Sequence, residues 1–223
     1  VLAAYSLICM FLIITRLPES LPQRQSLHPL KIGRNYWRLL RDSHYVATVV
    51  SSSLLYAGII TFLSSSGFIL IDMMAVPTDV FGLFFLPVVI GYITGNGLST
   101  RLSSSRSSEQ VMWIGAQLAV AAVATMLIAT EFWFTPASVV LPMASYSIAC
   151  GLVVPHATAS ALRDYSHMAG TASALLGFIQ MSLSSVGGAI VGILLADSAR
   201  PMVLMMLILS LCSWSILKYL RRH

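Results

Sequence analysis

The hydrophobic pattern divides the chain into long apolar stretches separated by short polar ones. Asp, Glu, Lys and Arg are absent from seven intervals: 1–15, 45–71, 80–100, 110–130, 132–162, 165–196 and 201–217. A helix needs about 20 residues to cross the hydrocarbon of a bilayer. The pattern therefore predicts six complete membrane-spanning helices, of which the last is only just long enough. Val1 begins directly in apolar sequence, so we expect a fragment whose upstream helices are absent.

Composition places the protein in the same class. The 223 residues are 57% hydrophobic and only 9% charged, and the mean hydropathy is +0.84. Soluble domains lie far from these values. We therefore predict an all-α membrane protein, a polytopic helix bundle. Cys9, Cys150 and Cys212 lie within apolar intervals and form no CxxC motif, so they are predicted to be small buried packing residues without a metal site or disulfide.

The positive charges lie almost entirely in alternate connections. Twelve of the 13 Lys and Arg residues fall in 16–44, 101–109, 163–167 and the tail 218–223. The intervening connections contain only Arg200. Connections rich in Lys and Arg stay on the cytoplasmic side of a membrane. This asymmetry predicts that the 16–44 linker and the C-terminus are cytoplasmic.

The linker contains a basic amphipathic segment, LKIGRNYWRLLR. Wound as a helix, it separates apolar from basic side chains, with Ile32, Tyr36 and Leu40 on one side and Arg34, Arg38 and Arg41 on another. With Trp37 available at the interface, such a helix suits the surface of an anionic leaflet. Nucleic-acid binding is the rival interpretation of a basic patch, and so much membrane sequence disfavours it.

A narrow stripe of small and polar residues follows His167 on an otherwise apolar helix. Its members, at a helical period of 3.6 residues, are Ser173, Gly177, Gln180, Ser184 and Gly187. Such a stripe suits a protein-facing or water-facing surface rather than lipid. Plain helix–helix packing is an equally open interpretation, because small residues serve it too.

Small residues, serines and prolines mark other spans. Interval 45–71 carries two serine triplets and Tyr56, which either bend the helix or line a cavity. Gly91 with Gly95, and Gly188 with Gly192, have the GxxxG spacing of closely packed helices. Interval 132–162 contains prolines, among them Pro155, that suit a kinked or gating helix.

Enzyme chemistry finds no support in the motifs. HExxH, GxSxG, Walker A and GxGxxG patterns are all missing from the sequence. The acidic residues stand at the boundaries of the apolar intervals, so no intramembrane proton relay is visible. His156 lies near the end of its span without a carboxylate at helical spacing, which favours an ordinary interfacial histidine over a proton site.

Four stretches resemble one family. They are RLPESLP after the first interval, FLSSSGFILID at 62–72, the sequence from FGLFFLPVV to RLSSSR at 81–106, and Pro155 followed by AGTASALLGFIQ. Together they resemble, in order, the C-terminal half of the bicyclomycin-resistance and chloramphenicol-efflux drug transporters of the major facilitator superfamily. The chain departs from the family at Phe62, usually Tyr, and at Gly67, usually Pro.

The resemblance implies a bacterial inner-membrane transporter of twelve helices. Residues 1–15 would end the sixth helix, 16–44 would link the halves, and 45–223 would form the C-terminal six-helix domain. The missing N-terminal half would be the main partner and would carry the proton-coupling carboxylate. Arg101 lies in a loop similar to the superfamily's glycine–arginine loop, although Thr100 stands where aspartate is common. No cofactor is implied; the other expected partners are a small-molecule substrate, protons and membrane lipids.

Two functional hypotheses follow. In the first, the protein exports drugs or amphipathic metabolites in exchange for protons by alternating access. The candidate cavity residues are then Tyr56, Ser64, Ser65, Gln180 and Ser184. The candidates for helix packing or gating are Gly91, Gly95, Pro155, Gly170, Gly177 and Gly188. In the second hypothesis the chain is a non-transporting membrane subunit or scaffold in which these residues only pack. A membrane-embedded enzyme is a distant third possibility.

Overall fold

The computed structural model describes residues 2–16, 29–194 and 198–221. Most of the RLPESLP stretch, and residues 17–28 of the predicted linker, lie outside the described residues. The helices are α1 (Leu2–Arg16), α2 (Pro29–Arg41), α3 (Ser43–Gly67), α4 (Leu86–Leu102), α5 (Ser108–Phe132), α6 (Pro136–Arg163), α7 (Ala169–Leu194) and α8 (Arg200–Leu220). A π-helical turn, Phe68–Met73, extends α3, and short 3₁₀ turns at Phe81–Phe85 and Ser166–Met168 precede α4 and α7.

Six of these helical segments are long and apolar enough to span a membrane. Each contains one of the helices α3 to α8 together with any short turn that extends it. This confirms the prediction of an all-α polytopic bundle with six spans. Polar residues define several ends. The Asp42 side chain accepts from the N–H groups of His44 and Tyr45 at the start of α3, and Ser107 forms a capping box with Gln110 at the start of α5.

The bundle has an internal two-fold arrangement around α3 and α6. α3 packs along the parallel helix α7 and against the antiparallel helix α8. α6 packs in the same way along α4 and against α5. Exchanging α3–α5 with α6–α8 therefore reproduces the packing, as expected of two inverted three-helix repeats. α4 and α7 consequently form opposite flanks of the bundle.

The core lies where α3, α5, α6 and α8 meet. Tyr146 and Phe62 are among its largest fully buried side chains. The Tyr146 hydroxyl donates to Leu55 O at 2.8 Å, and its ring occupies the space beside Gly58, where any Cβ would overlap it. Burying a tyrosine is tolerated because the hydroxyl finds a backbone acceptor. This contact holds the two central helices together.

Two helices lie outside the bundle core. α1 exposes apolar side chains such as Phe11 and Ile14. α2 instead packs against the first turns of α3 and α7, where Leu39 is fully buried beside Tyr45 and Ala172. The apolar side of α2 was expected to face lipid, yet part of it covers the bundle. Leu40, which the helical wheel placed on that apolar side, is exposed.

The cysteines do not behave as one group. Cys150 is buried, and its thiol lies 3.7 Å from Leu55 O. Cys212 is exposed and Cys9 is half-buried. The prediction of buried packing residues is therefore wrong for Cys212, because an apolar interval does not show which side of the helix faces outward.

Candidate substrate pathway

The serines of α3 mostly satisfy their own backbone. Ser51, Ser52 and Ser65 donate to carbonyl oxygens three or four residues earlier, at 2.9–3.0 Å. Ser65, a predicted cavity residue, is buried, whereas Tyr56 is half-buried. A hydroxyl that bonds to its own helix has no donor left for a substrate. On α3, Tyr56 is therefore better placed than Ser65 to contact a bound molecule.

The stripe on α7 has two different halves. Near its C-terminal end, Ser184 and Gly187 are buried. Ser184 Oγ donates to Gln180 O at 2.7 Å. A Cβ on Gly187 would lie 3.1 Å from Thr61 Oγ1, and one on Gly188 would lie 3.5 Å from Ser64 Oγ. This half packs on α3, and Ser64 stands at that seam with its side chain exposed.

The other half of the stripe is open. A Cβ added at Gly170 or Gly177 would meet no atom within 4 Å, and Ser173 is exposed. The helix packing that was one of the two roles considered for Gly170 and Gly177 is therefore not made by the described residues. Gln180 lies between the two halves, half-buried. Its side-chain amide forms no hydrogen bond within the described part of the chain.

Glycines let α4 and α6 touch backbone to backbone. A Cβ on Gly91 would lie 2.4 Å from Ala144 O, and one on Gly95 would lie 2.3 Å from Ile148 O. From the opposite side, a Cβ on Gly151 would lie 2.6 Å from Tyr92 O. Only glycine fits such a seam without moving a helix. Pro155 lies further along α6, which remains one helix through it.

Sequence reasoning missed Tyr92 and Ser147. Tyr92 on α4 is half-buried, and its carbonyl oxygen lies at the seam with Gly151 of α6. Ser147 stands one helical turn before Gly151 on α6. Its Oγ is fully buried and has no hydrogen-bond partner among the described residues, as is also true of Thr48, Ser53 and Thr61. A single polar residue in an apolar span gives no sign of which neighbouring helix it will meet.

One end of the bundle carries most of the Lys and Arg residues that the structure describes. At this end, His156 connects three helices. Its imidazole is buried, with Nε2 3.3 Å from Ser103 Oγ and Nδ1 3.3 Å from Ser108 Oγ. The ring thus connects the end of α4, the start of α5 and the body of α6. Arg101 is exposed at the end of α4 and makes no ion pair with the described residues. We call this the basic end of the bundle.

Two further hydrogen bonds at the basic end tie the α2–α3 junction to the α6–α7 connection, and α3 to α7. The Tyr165 hydroxyl donates to Asp42 Oδ2 at 2.5 Å, and the Tyr45 hydroxyl donates to Ala172 O at 2.6 Å. Burial, followed by the hydrogen bond to the carboxylate, raises the pKa of Tyr165 to about 12. Partial burial works against ionisation of Asp42, but hydrogen bonds from Tyr165 and two backbone N–H groups hold its pKa below the usual value.

No protein-family model matches the chain. The bicyclomycin resistance protein homolog of Haemophilus influenzae is 24% identical over 213 residues, which are 92% of this chain and 52% of that protein. The uncharacterized MFS-type transporter YdgK of Bacillus subtilis is 27% identical over 196 residues, 86% of this chain and 48% of its own length. The multidrug transporter MdfA of Escherichia coli O157:H7 is 26% identical over 192 residues, 83% and 46% respectively.

The fold defines an integral, multi-pass membrane protein built from helices. Its relatives include a bicyclomycin resistance protein homolog, an MFS-type transporter and a multidrug transporter, and the chain is similar to them over most of its length. This confirms the resemblance seen in the sequence. The chain spans about half the length of the curated relatives that it matches.

Proposed function

We propose that this chain is the C-terminal half of a proton-coupled exporter of drugs or small amphipathic metabolites. The observation that carries the proposal is the match, over at least 83% of the chain, to about half the length of a bicyclomycin resistance protein homolog, an MFS-type transporter and a multidrug transporter. The six-helix bundle with its two inverted repeats has the size and symmetry of one such half. The other half would then be the principal partner, and the two would rock against each other.

The substrate would bind between the halves, against polar groups that carry no charge. Tyr56 and Tyr92 offer phenol groups from α3 and α4, and Gln180 offers an unpaired amide from α7. Hydroxyl and amide groups donate and accept without ionising. Apolar side chains around such groups bind the apolar part of an amphipathic compound. This combination suits varied substrates better than a single charged anchor.

Proton coupling would depend on the partner half. The described carboxylates stand at the ends of the spans or in connections, as Asp72, Glu109 and Glu131 illustrate. A coupling carboxylate has to lie within the membrane. We therefore place it outside the described residues, in the other half. The basic end would face the cytoplasm of a bacterial inner membrane, with α2 near the anionic headgroups.

A scaffold without transport activity is the competing function, and specific contacts favour it. Ser65 and Ser184 were predicted to line a cavity, and the hydroxyls of both bond to their own helix. The unpaired amide of Gln180 has no such role. It is the residue at which the two functions make different predictions.

Expression of the complete gene in drug-sensitive bacteria distinguishes the exporter from the scaffold. We expect the gene to encode about five further spans with a buried acidic residue, and the complete protein to raise resistance to several unrelated compounds. The chain of residues 1–223 alone should insert in the membrane without raising resistance. Unchanged sensitivity with abundant, membrane-inserted complete protein would favour the scaffold.

A further inference from the structure

Two tryptophans stack between α5 and α8 near the basic end. The ring centroids of Trp113 and Trp214 are 5.5 Å apart and the planes differ by 25°. Both residues are half-buried. Each lies about 8–9 Å along its helix from the basic end, at 1.5 Å per residue. Tryptophan concentrates at this depth, where hydrocarbon meets headgroups.

A cation lies over each ring. Lys218 Nζ is 4.7 Å from the centre of the Trp214 ring, and Arg221 Cζ is 5.8 Å from that of Trp113. Neither cation forms an ion pair in the described part of the chain. The nearest acidic residue along α5 is Glu109, one turn before Trp113, and its carboxylate lies 3.7 Å from His44 of α3. The site therefore keeps a net positive charge.

The site lies on the side of the bundle away from the α4 and α7 flanks. α5 and α8 pack on each other and on the two central helices. In line with Lys218 along α8, two and four turns further from the basic end, lie the exposed apolar side chains of Leu211 and Leu204. An acyl chain can lie along this strip of apolar side chains. Positive charge, aromatic rings at interfacial depth and an apolar strip thus follow one another along a single surface.

We propose that Trp113, Trp214, Lys218 and Arg221 form a binding site for an anionic phospholipid. The headgroup phosphate accepts hydrogen bonds from the Lys218 ammonium and the Arg221 guanidinium, which have three and five N–H donors. The indole rings hold the two cations at the height of the phosphate through cation–π contacts. The acyl chains lie along α8. Basic sites between helices at this depth are suited to anionic headgroups.

The experiment follows tryptophan quenching by brominated phosphatidylglycerol titrated into neutral detergent. Trp37 and Trp133 are first replaced by Phe, so that only Trp113 and Trp214 report. The test variant is Lys218→Gln with Arg221→Gln. The matched control, Arg101→Gln with Arg106→Gln, removes the same charge from the same end of the bundle. Circular dichroism and thermal midpoints verify that each variant is folded.

We expect the test variant to bind phosphatidylglycerol about 10- to 30-fold more weakly, the loss expected for two cations beside an anionic headgroup. The control should retain its affinity, and Lys218→Arg should retain most of it. Equal loss of phosphatidylglycerol affinity in both double variants would mean that net charge alone attracts the lipid, and it would overturn the site. Unchanged affinity in the test variant would overturn it too. Displacement of the lipid by water-soluble glycerol phosphate added to the buffer would show that the site binds free phosphate, and it would overturn the lipid site.

Discussion

Replacement of Gly95 by alanine tests the backbone seam between α4 and α6. The new Cβ would lie 2.3 Å from Ile148 O and 3.0 Å from Gly151 Cα, whereas ordinary contacts are 3.4–4 Å. The helices must separate by about 1 Å to relieve this overlap. Separation also opens the neighbouring contacts of Gly91. Because the atoms in the way belong to the backbone, no side-chain rotation can remove the clash.

Gly97→Ala is the matched control on the same helix. A Cβ there meets no atom within 4 Å. Both substitutions gain about 1 kcal/mol of helix propensity, so that gain cancels when the two variants are compared. The remaining difference is the cost of overpacking, about 1–3 kcal/mol. Gly97→Ala should therefore match or exceed the parent in stability, and Gly95→Ala should fall below Gly97→Ala by that amount.

Reversible unfolding in mixed micelles of neutral detergent and dodecyl sulfate, followed by circular dichroism, gives the two free energies. The parent protein is measured in the same series. If Gly95→Ala proves as stable as Gly97→Ala, α4 and α6 do not touch at this seam. The close packing of α4 on α6, and with it the two-fold arrangement of the bundle, would then be wrong.

Three further predictions concern the basic end, the topology and the α7 stripe. Tyr165→Phe removes the hydroxyl that stabilises ionised Asp42; the loss should be about 1 kcal/mol near pH 7 and should vanish in acid below the lowered pKa of Asp42. An equal loss at every pH would contradict the charge effect. Cysteine at Ser104 should be shielded from impermeant thiol reagents added outside, whereas cysteine at Thr78 should react; the reverse pattern would invert the topology. Gln180→Ala should alter which drugs the complete protein exports without lowering its abundance, while Gln117→Ala, on the exposed side of α5, should change neither. Loss of all substrates in proportion to abundance would leave Gln180 a packing role alone.

The membrane spans could be predicted from the sequence because charge is costly in hydrocarbon. The uncharged intervals locate each long helix to within a few residues, as α3 with its π-helical turn shows against 45–71. Helix ends depend on local capping. The start of α3 at Ser43 follows from the Asp42 side chain, which a search for uncharged intervals passes over.

The sides of the helices could be predicted only in part. Gly95 and Gly177 look alike in sequence, yet one touches a backbone and the other faces open space. Small residues permit close packing, but they do not show which helix comes near. The same limit applies to α2. Its amphipathic pattern was evident, but whether Leu39 would cover lipid or the bundle depends on where the helix docks.

The candidate site shows this limit most clearly. Tyr56 and Gln180 were predicted because they stand out among apolar neighbours, and both are half-buried. Tyr92 was missed because its place depends on the seam between α4 and α6, where its backbone meets Gly151. Contacts of this kind depend on the packing of α3, α4 and α6 rather than on any one segment.

Transport by purified protein in vesicles tests the proposed function most directly. The complete protein and the chain of residues 1–223 are reconstituted separately, a fluorescent amphipathic drug is loaded, and a pH gradient is imposed across the membrane. We predict saturable drug movement that needs the gradient with the complete protein, and none with residues 1–223 alone, because alternating access needs a second half. Saturable, gradient-dependent transport by residues 1–223 alone, or its absence from folded complete protein, would contradict the proposed mechanism.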